Sequence, residues 1–292
     1  MPSLKEIKGR IASVKSTKKI TSAMKMVASA KLRKAQYQIE SFLPYEQRLT
    51  NILNDFLSGY SEDNFSSVLA EKRDVKRVAI VVLSSNSSLC GAFNSNIIRL
   101  LNNRIQKYQN QNFEIEIYPV GKKVEAAVRK LKIPVIIKGS YTSLMDKPAF
   151  EGAKVIADSL MNDFLANKID CVDLVYNHFK SAGVQVPTEE SFLPVDLAIR
   201  TNAKTVPTDY LIEPDRKTLL ETLIPRSLRS KIYAILLDSA AAEHAARVVA
   251  MQIATDNADE ILDELTIQYN KQRQQAITSE LLDIVGGSEA LK

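Results

Sequence analysis

Residues 3–28 read SLKEIKGRIASVKSTKKITSAMKMVA, and this stretch decides the architecture. Ser3 stands three residues before Glu6, the spacing of a capping box at a helix start. Apolar side chains then recur at Leu4, Ile7, Ile11, Val14, Ile20, Met24 and Val27, mostly three or four residues apart. So narrow a stripe belongs to a coiled-coil seam rather than to a broad core-facing helix. Ala23, Ala28 and Ala30 leave room for a second helix to approach closely. From Ser3 to Leu57 the only helix breakers are Gly9 and Pro44, and the proline predicts a kink or a frayed joint.

The matching helix lies at the other end of the chain. From Arg226 to Val285 there is neither glycine nor proline. Pro225 fits a first-turn position, and Gly286-Gly287 fits a C-cap. Its apolar stripe includes Leu228, Ile232, Ile235, Ala242, Ala246, Val249, Ile253, Leu262, Leu265, Tyr269, Ala276, Leu281 and Ile284. The small side chains of Ser239–Ala246 predict its closest packing. At about 1.5 Å per residue each end segment outreaches the roughly 30 Å span of a small domain, so the middle of the chain cannot wrap either one. The economical arrangement is an antiparallel pair with the remainder to one side. Residues 269–275 (YNKQRQQ) put long polar groups on nearly every face, so that segment is either free in water or inside something else.

Between the ends, strands alternate with helices. Arg77–Leu83 (RVAIVVL) is a continuous apolar run, as in a strand buried on both faces. Further strands are expected at Glu114–Val120, Val135–Lys138 and Val172–Asn177, the last paired as a hairpin with Val184–Pro194. Helices are expected at Ala92–Gln109, Val124–Lys130 and Ala149–Ala166. The fold class is therefore α/β: a long antiparallel coiled coil of the N- and C-terminal helices plus a Rossmann-like α/β domain. The expected boundaries are 1–58 for the first helix, 75–200 for the α/β domain, 201–225 for a connector and 226–287 for the last helix, with 1–58 and 226–287 forming one discontinuous shaft.

Composition narrows the function classes. The 292 residues carry a net charge of +5 and no uninterrupted apolar run of membrane-spanning length. No signal peptide is read at the N-terminus. Cys90 and Cys171 are too few for a disulfide framework and fit reduced thiols in a cytoplasmic-type compartment. The loop after the first strand, SSNSSLCG at 84–91, lacks G-x-G-x-x-G, and the chain has no G-x-x-x-x-G-K-[ST]. Cys90 has only His178 and His244 as conceivable bases, on different elements, so a buried free thiol is expected rather than a nucleophile. No cofactor and no metal site are expected.

Charge is uneven along the first helix. Between Glu6 and Glu40 there is no acidic residue, while Lys8, Arg10, Lys15, Lys18, Lys19, Lys25, Lys31, Arg33 and Lys34 all fall there. That asymmetry predicts an acidic partner, either nucleic acid or an acidic protein collar. Two alternatives follow from the residues alone: a basic coiled coil that binds nucleic acid, and a nucleotide-dependent enzyme built on the α/β domain, against which the missing phosphate loop counts.

Several long stretches resemble the gamma subunit of F-type ATP synthases: IKGRIASVKSTKKITSAMKMVA at 7–28, LCGAFN at 89–94, EHAARVVAM at 243–251, ATDNA at 254–258 and YNKQRQQAITSEL at 269–281. The resemblance covers the whole chain in the family's order. It implies a central rotor stalk without catalytic sites of its own, its coil inside a ring of alpha and beta subunits and its foot on epsilon and the c-subunit ring. By the same resemblance Met24 and Lys25 meet an acidic lever loop of beta. Arg247, Arg273, Gln274 and Thr278 face alpha and beta, and Tyr210 and Glu213 lie at the foot. Nucleic acid is then no partner, and the location is the cytoplasmic face of a bacterial inner membrane, peripheral through the complex. One departure stands out. The family often carries Asp-Arg/Lys-Gly where this chain has Asn86, Ser87 and Ser88. The cysteine-bearing insert of chloroplast versions has no counterpart, so no thiol switch is expected.

Overall fold

The computed structural model describes residues 3–58, 67–131, 133–195, 213 and 215–289. Helix α1 spans Leu4–Ser58 and runs through Pro44. Ser3 caps it, its hydroxyl accepting the Glu6 N–H at 3.3 Å. The Glu6 carboxylate turns forward to Arg10 at 2.9 Å, so the cap uses one arm of the box.

Five strands follow: β1 (Arg77–Leu83), β2 (Glu114–Val120), β3 (Ile136–Ile137), β4 (Cys171–Ser181) and β5 (Val184–Leu193). They form one sheet in the order β3-β2-β1-β4-β5. All neighbours are parallel except the β4–β5 hairpin. The intervening helices are α2 (Phe93–Asn110), α3 (Lys122–Val128), α4 (Thr142–Asp146) and α5 (Phe150–Leu165), and α6 (Arg216–Glu289) completes the chain.

The described chain forms two compact units, one of Met1–Ala28 with Val248–Lys292 and one of Ser29–Arg247. In the second unit the pleat of β1 explains its unbroken apolar sequence. Ala79, Val81 and Leu83 face a core with Ile156, Leu160 and Phe164 of α5, Leu53 of α1 and Leu220, Ile224, Leu228 and Ile232 of α6. Val78, Ile80 and Val82 face a second core with Ile97, Leu101 and Ile105 of α2 and Val124 of α3. A strand covered on both sides has no polar face to offer. The buried Asp173 on β4 is compensated by Arg104 Nε at 2.8 Å and by the Tyr108 hydroxyl. Burial and that hydrogen bond push the Tyr108 phenol well above its ordinary pKa.

In the first unit α1 and α6 pair antiparallel. The Thr21 and Thr255 hydroxyls meet at 2.9 Å, while Lys18, one turn earlier, pairs with Asp259, one turn later. Ile7, Ala28, Met251, Ala258 and Leu265 are buried in this unit.

The last helix differs from its sequence reading. It starts at Arg216 and carries Pro225 inside, rather than starting after Pro225. The start signal is Asp215, whose carboxylate accepts the Thr218 N–H at 2.9 Å and the Thr218 hydroxyl at 2.7 Å. Leu220, Ile224, Leu228 and Ile232 are all buried at four-residue spacing, and their burial holds the helix together across a residue that cannot donate to the carbonyl four back. At the other end the helix passes Gly286-Gly287 without stopping and reaches Glu289.

Because an interior proline costs about 3 kcal/mol, and its loss frees about 0.5–1 kcal/mol of unfolded-chain entropy, Pro225→Ala is expected to stabilise the chain by about 2 kcal/mol. Urea unfolding followed by circular dichroism checks this, and a lower midpoint for the variant would count against it.

Candidate functional site

The residues singled out by sequence fall into separate places. Met24 and Lys25 lie on α1 in the paired stretch, and both are half-buried. Beside them Met26 and Val27 are exposed, at 70% and 58%. Lys15, Lys18 and Lys19 line a shallow groove of about 480 Å³ together with Ser22, Ala23, Met26 and Leu262. This face combines apolar side chains with three lysines, of which Lys18 is paired with Asp259, and so suits a partner segment that mixes carboxylates with aliphatic side chains.

Arg273, Gln274 and Thr278 are exposed on α6. The Thr278 hydroxyl donates to the Gln274 carbonyl at 2.9 Å, leaving the outer surface to Arg273 and the Gln274 amide. The Thr21–Thr255 pairing puts Met24 level with residue 252, so Arg273 lies about 30 Å further along the coil. Beyond it Leu281, Leu282 and Ile284 are each more than half exposed. Glu213 is exposed, and Tyr210 lies outside the described residues.

Arg247 is different. It is buried, and its guanidinium donates to Glu243 at 2.5 Å and to the Ser88 carbonyl at 2.6 Å. The signal for this pair was in the sequence as a Glu four residues before an Arg, within a run of alanines. Glu243 is so deeply buried that desolvation raises its pKa despite the adjacent guanidinium.

The Ser88 carbonyl belongs to the loop after β1. Between β1 and β4 the strand order reverses, and open α/β sheets take ligands in the crevice at that point. Here the chain fills the place itself. Cys90, Phe93, Phe179, Ala242 and Ala246 pack into one cluster, bringing α6 against the loop. Asn177 at the end of β4 donates to the Phe93 carbonyl at 3.1 Å. Asn94 donates to the Cys90 sulfur at 3.2 Å and accepts the Ser85 N–H at 3.1 Å. Burial pushes the Cys90 thiol above its usual pKa, the opposite of an activated nucleophile. Among the described residues no cluster of potential metal ligands occurs.

A family model described as ATP synthase matches residues 3–291. The ATP synthase gamma chain of Azobacteroides pseudotrichonymphae is 59% identical over 293 residues, covering 100% of both chains. That of Phocaeicola vulgatus is 54% identical over 99% of this chain and 100% of its own. The chain belongs to the ATP synthase gamma chain family. In fold it is similar to a chain of the Euglena gracilis mitochondrial ATP synthase OSCP/F1/c-ring structure, with a TM-score of 0.63 and 20% identity over 99% of this chain and 94% of that one. A chain of the central stalk/c-ring structure from Tetrahymena thermophila gives a TM-score of 0.57 at 24% identity, covering 80% of this chain and 99% of that one.

Two outcomes test this geometry. Breaking a buried ion pair leaves an uncompensated charge, so Arg247→Met is expected to destabilise the α/β unit by about 3–5 kcal/mol, and adding Glu243→Gln is expected to restore most of it. Chemical unfolding of the single and double variants decides this, and equal loss in both would sink the pair as a unit. The second outcome concerns His244, whose Nδ1 is buried without a hydrogen-bond partner. Burial, then the charges of Lys31 and Arg247, lower its pKa from 6.5 to about 4. The folded state then binds fewer protons than the unfolded chain, so this contribution is full above pH 6.5 and is lost as pH falls toward 4. Glu243, with its raised pKa, works the other way, its contribution fading as pH rises above the ordinary 4.5. Stability–pH profiles of wild type and His244→Gln should diverge between pH 4 and 6.5, and parallel profiles would refute the assignment.

Proposed function

We propose that the chain is the rotating central stalk of an F-type ATP synthase, carrying rotation between a proton-driven c-subunit ring and the beta subunits. The observation that carries this reading is the full-length match to gamma chains, joined to a first helix that has no acidic residue between Glu6 and Glu40 and to exposed aliphatic side chains on both helices of the coil. A shaft that presents different side chains around its circumference contacts each beta subunit differently, and only such differential contact can bias each site between open and closed states.

In this reading the catalytic sites belong to the alpha and beta subunits, and this chain supplies no catalytic group. Met24 and Lys25 meet the acidic loop of beta, where an acid-free helix is attracted on electrostatic grounds. Arg273, Gln274 and Thr278 turn inside the ring of alpha and beta, which accounts for a segment that is polar on all faces yet carries exposed leucines. Arg247 acts from within, holding the helix against the loop after β1. Glu213 belongs to the foot, with Tyr210, near epsilon and the c ring. The stretches 1–58 and 226–287 act as the shaft, 75–200 as the body, and the part of 201–225 that precedes α6 as the connector to the foot. Among the described residues no helix is long and apolar enough to cross a membrane, so attachment is through the complex, at the cytoplasmic face of a bacterial inner membrane. No finding favours nucleic acid as the partner of the same lysines.

The decisive experiment mixes the chain with cognate alpha and beta subunits. A complex with one copy of this chain and multisite ATPase activity is expected; failure to assemble would overturn the reading. Replacing Met24 with Lys adds a cation beside the acidic loop and is expected to weaken coupling, so that ATP-driven proton pumping in reconstituted vesicles falls more than ATP hydrolysis does. Unchanged pumping in that variant would remove Met24 from the contact.

A further inference from the structure

Within the unit Ser29–Arg247 lies a groove of about 410 Å³ at the edge of the first core, with which it shares Tyr176 and Ile235, and the rotor reading assigns it no role. Its walls are Ile39, Phe42 and Leu43 of α1, Phe179 of β4 and Ala234 and Ile235 of α6. The volume falls in the roughly 300–1,000 Å³ range of small-ligand sites, and the lining has their character, mostly apolar with a few polar groups.

The polar groups decide what fits. Glu46, His178, Glu190, Lys231 and Asp238 also line the groove. Lys231 is spent on Glu190 at 3.2 Å, and the other Glu190 oxygen accepts the Tyr176 hydroxyl at 2.9 Å. Asp238 accepts the Phe179 N–H at 3.0 Å and meets His178 Nδ1 at 2.7 Å. Among the described residues Glu46 receives the Thr50 hydroxyl at 3.1 Å and no other hydrogen bond, and no cation pairs with it. Three carboxylates against one ammonium leave the groove with two negative charges, or one when His178 is protonated.

We propose that this groove binds a small apolar cation, an alkylammonium whose hydrocarbon body lies on the aliphatic walls and whose nitrogen sits at Glu46 near the Phe42 ring. Phe42, one turn before Glu46 on α1, lines the same groove with its ring in edge-to-face contact with Tyr233 at 4.9 Å, and an aromatic ring together with a carboxylate is an environment an ammonium prefers. An anion of the same shape is repelled, and a neutral molecule leaves Glu46 without a counter-charge. The site does not depend on the rotor assignment, since every residue in it lies within one unit of this chain.

Titration calorimetry of the full-length chain with 1-adamantylamine tests the proposal, with 1-adamantanol and 1-adamantanecarboxylate as shape controls. One saturable site with a Kd on the order of 100 µM is expected for the amine, given its size. The alcohol and the carboxylate should bind at least ~10-fold more weakly. Glu46→Gln should weaken the amine ~10-fold and leave the alcohol unchanged, and Ala234→Phe, which fills the groove, should abolish amine binding. Should the filled variant misfold, Glu46→Gln still decides, because that side chain is partly exposed and outside both cores. No saturation, equal affinity for amine and alcohol, or an amine affinity indifferent to Glu46→Gln would each overturn the proposal.

Discussion

The hydrogen-bond ladder of α6 is the constraint on which the rest depends, because one uninterrupted backbone has to serve surroundings that change along its length. Near its start, leucines and isoleucines at four-residue spacing are buried against α5 and the sheet. Around Ser239–Ala246 the side chains shrink, and the helix closes on the loop after β1. From Val248 its buried residues are those of the pairing with α1, and past Arg273 its aliphatic residues stand exposed. No single stripe can describe such a helix. Its apolar face is rewritten each time the neighbour changes, while the backbone bonds continue, broken only at the missing donor of Pro225.

Continuity also explains what the helix tolerates. An interior proline normally ends a helix, and a glycine pair normally caps one. Neither does so here. Around Pro225, buried aliphatic side chains on the adjacent turns fix the backbone more strongly than the missing donor loosens it. A buried pair such as Glu243–Arg247 is costly to desolvate and adds little net stability. What it supplies is position: a planar guanidinium can hold a carboxylate and a backbone carbonyl at once, and so fixes the loop to the helix.

How much of this was legible follows from which physical signal dominated each segment. The strands β1 and β2 were readable to the residue, because burial on both faces writes itself as an unbroken or alternating apolar run. The antiparallel pairing was readable from two end segments with few or no breakers and a length that no small domain can wrap. The start of α6 was misread because Pro225 was weighted above Asp215 and Thr218, a side-chain cap in a segment that otherwise looked like connector. The five-residue α4 carries no periodicity to read. Inward-facing polar partners such as Arg104 with Asp173 are 69 residues apart, so no local pattern could announce them. The same limit applied to Arg247, since a charged residue on a long helix gives no sign of which way it turns until the neighbouring loop is in place.

The resemblance to gamma subunits sets an Asp and an Arg or Lys against Asn86 and Ser87 and a glycine against Ser88, and loss of the two charges would matter if the loop after β1 acted through its side chains. It acts largely through its backbone instead. Arg247 takes the carbonyl of Ser88, and the carbonyl of Ser87 accepts the Ser85 hydroxyl at 2.6 Å. A backbone carbonyl is present whatever side chain its residue carries, so Ser87 can stand in place of a charged residue, and Ser88 in place of a glycine, without losing the contact. At Asn86 the side chain does matter. Its oxygen accepts the Lys122 N–H at 3.0 Å, and its nitrogen donates to the Thr142 carbonyl at 2.7 Å. A carboxylate there could accept from the start of α3 but could not donate to α4. The amide does both, so in this chain the substitution exchanges a surface charge for a neutral bridge between two short helices, and the loop remains a fixed anvil against which α6 is held.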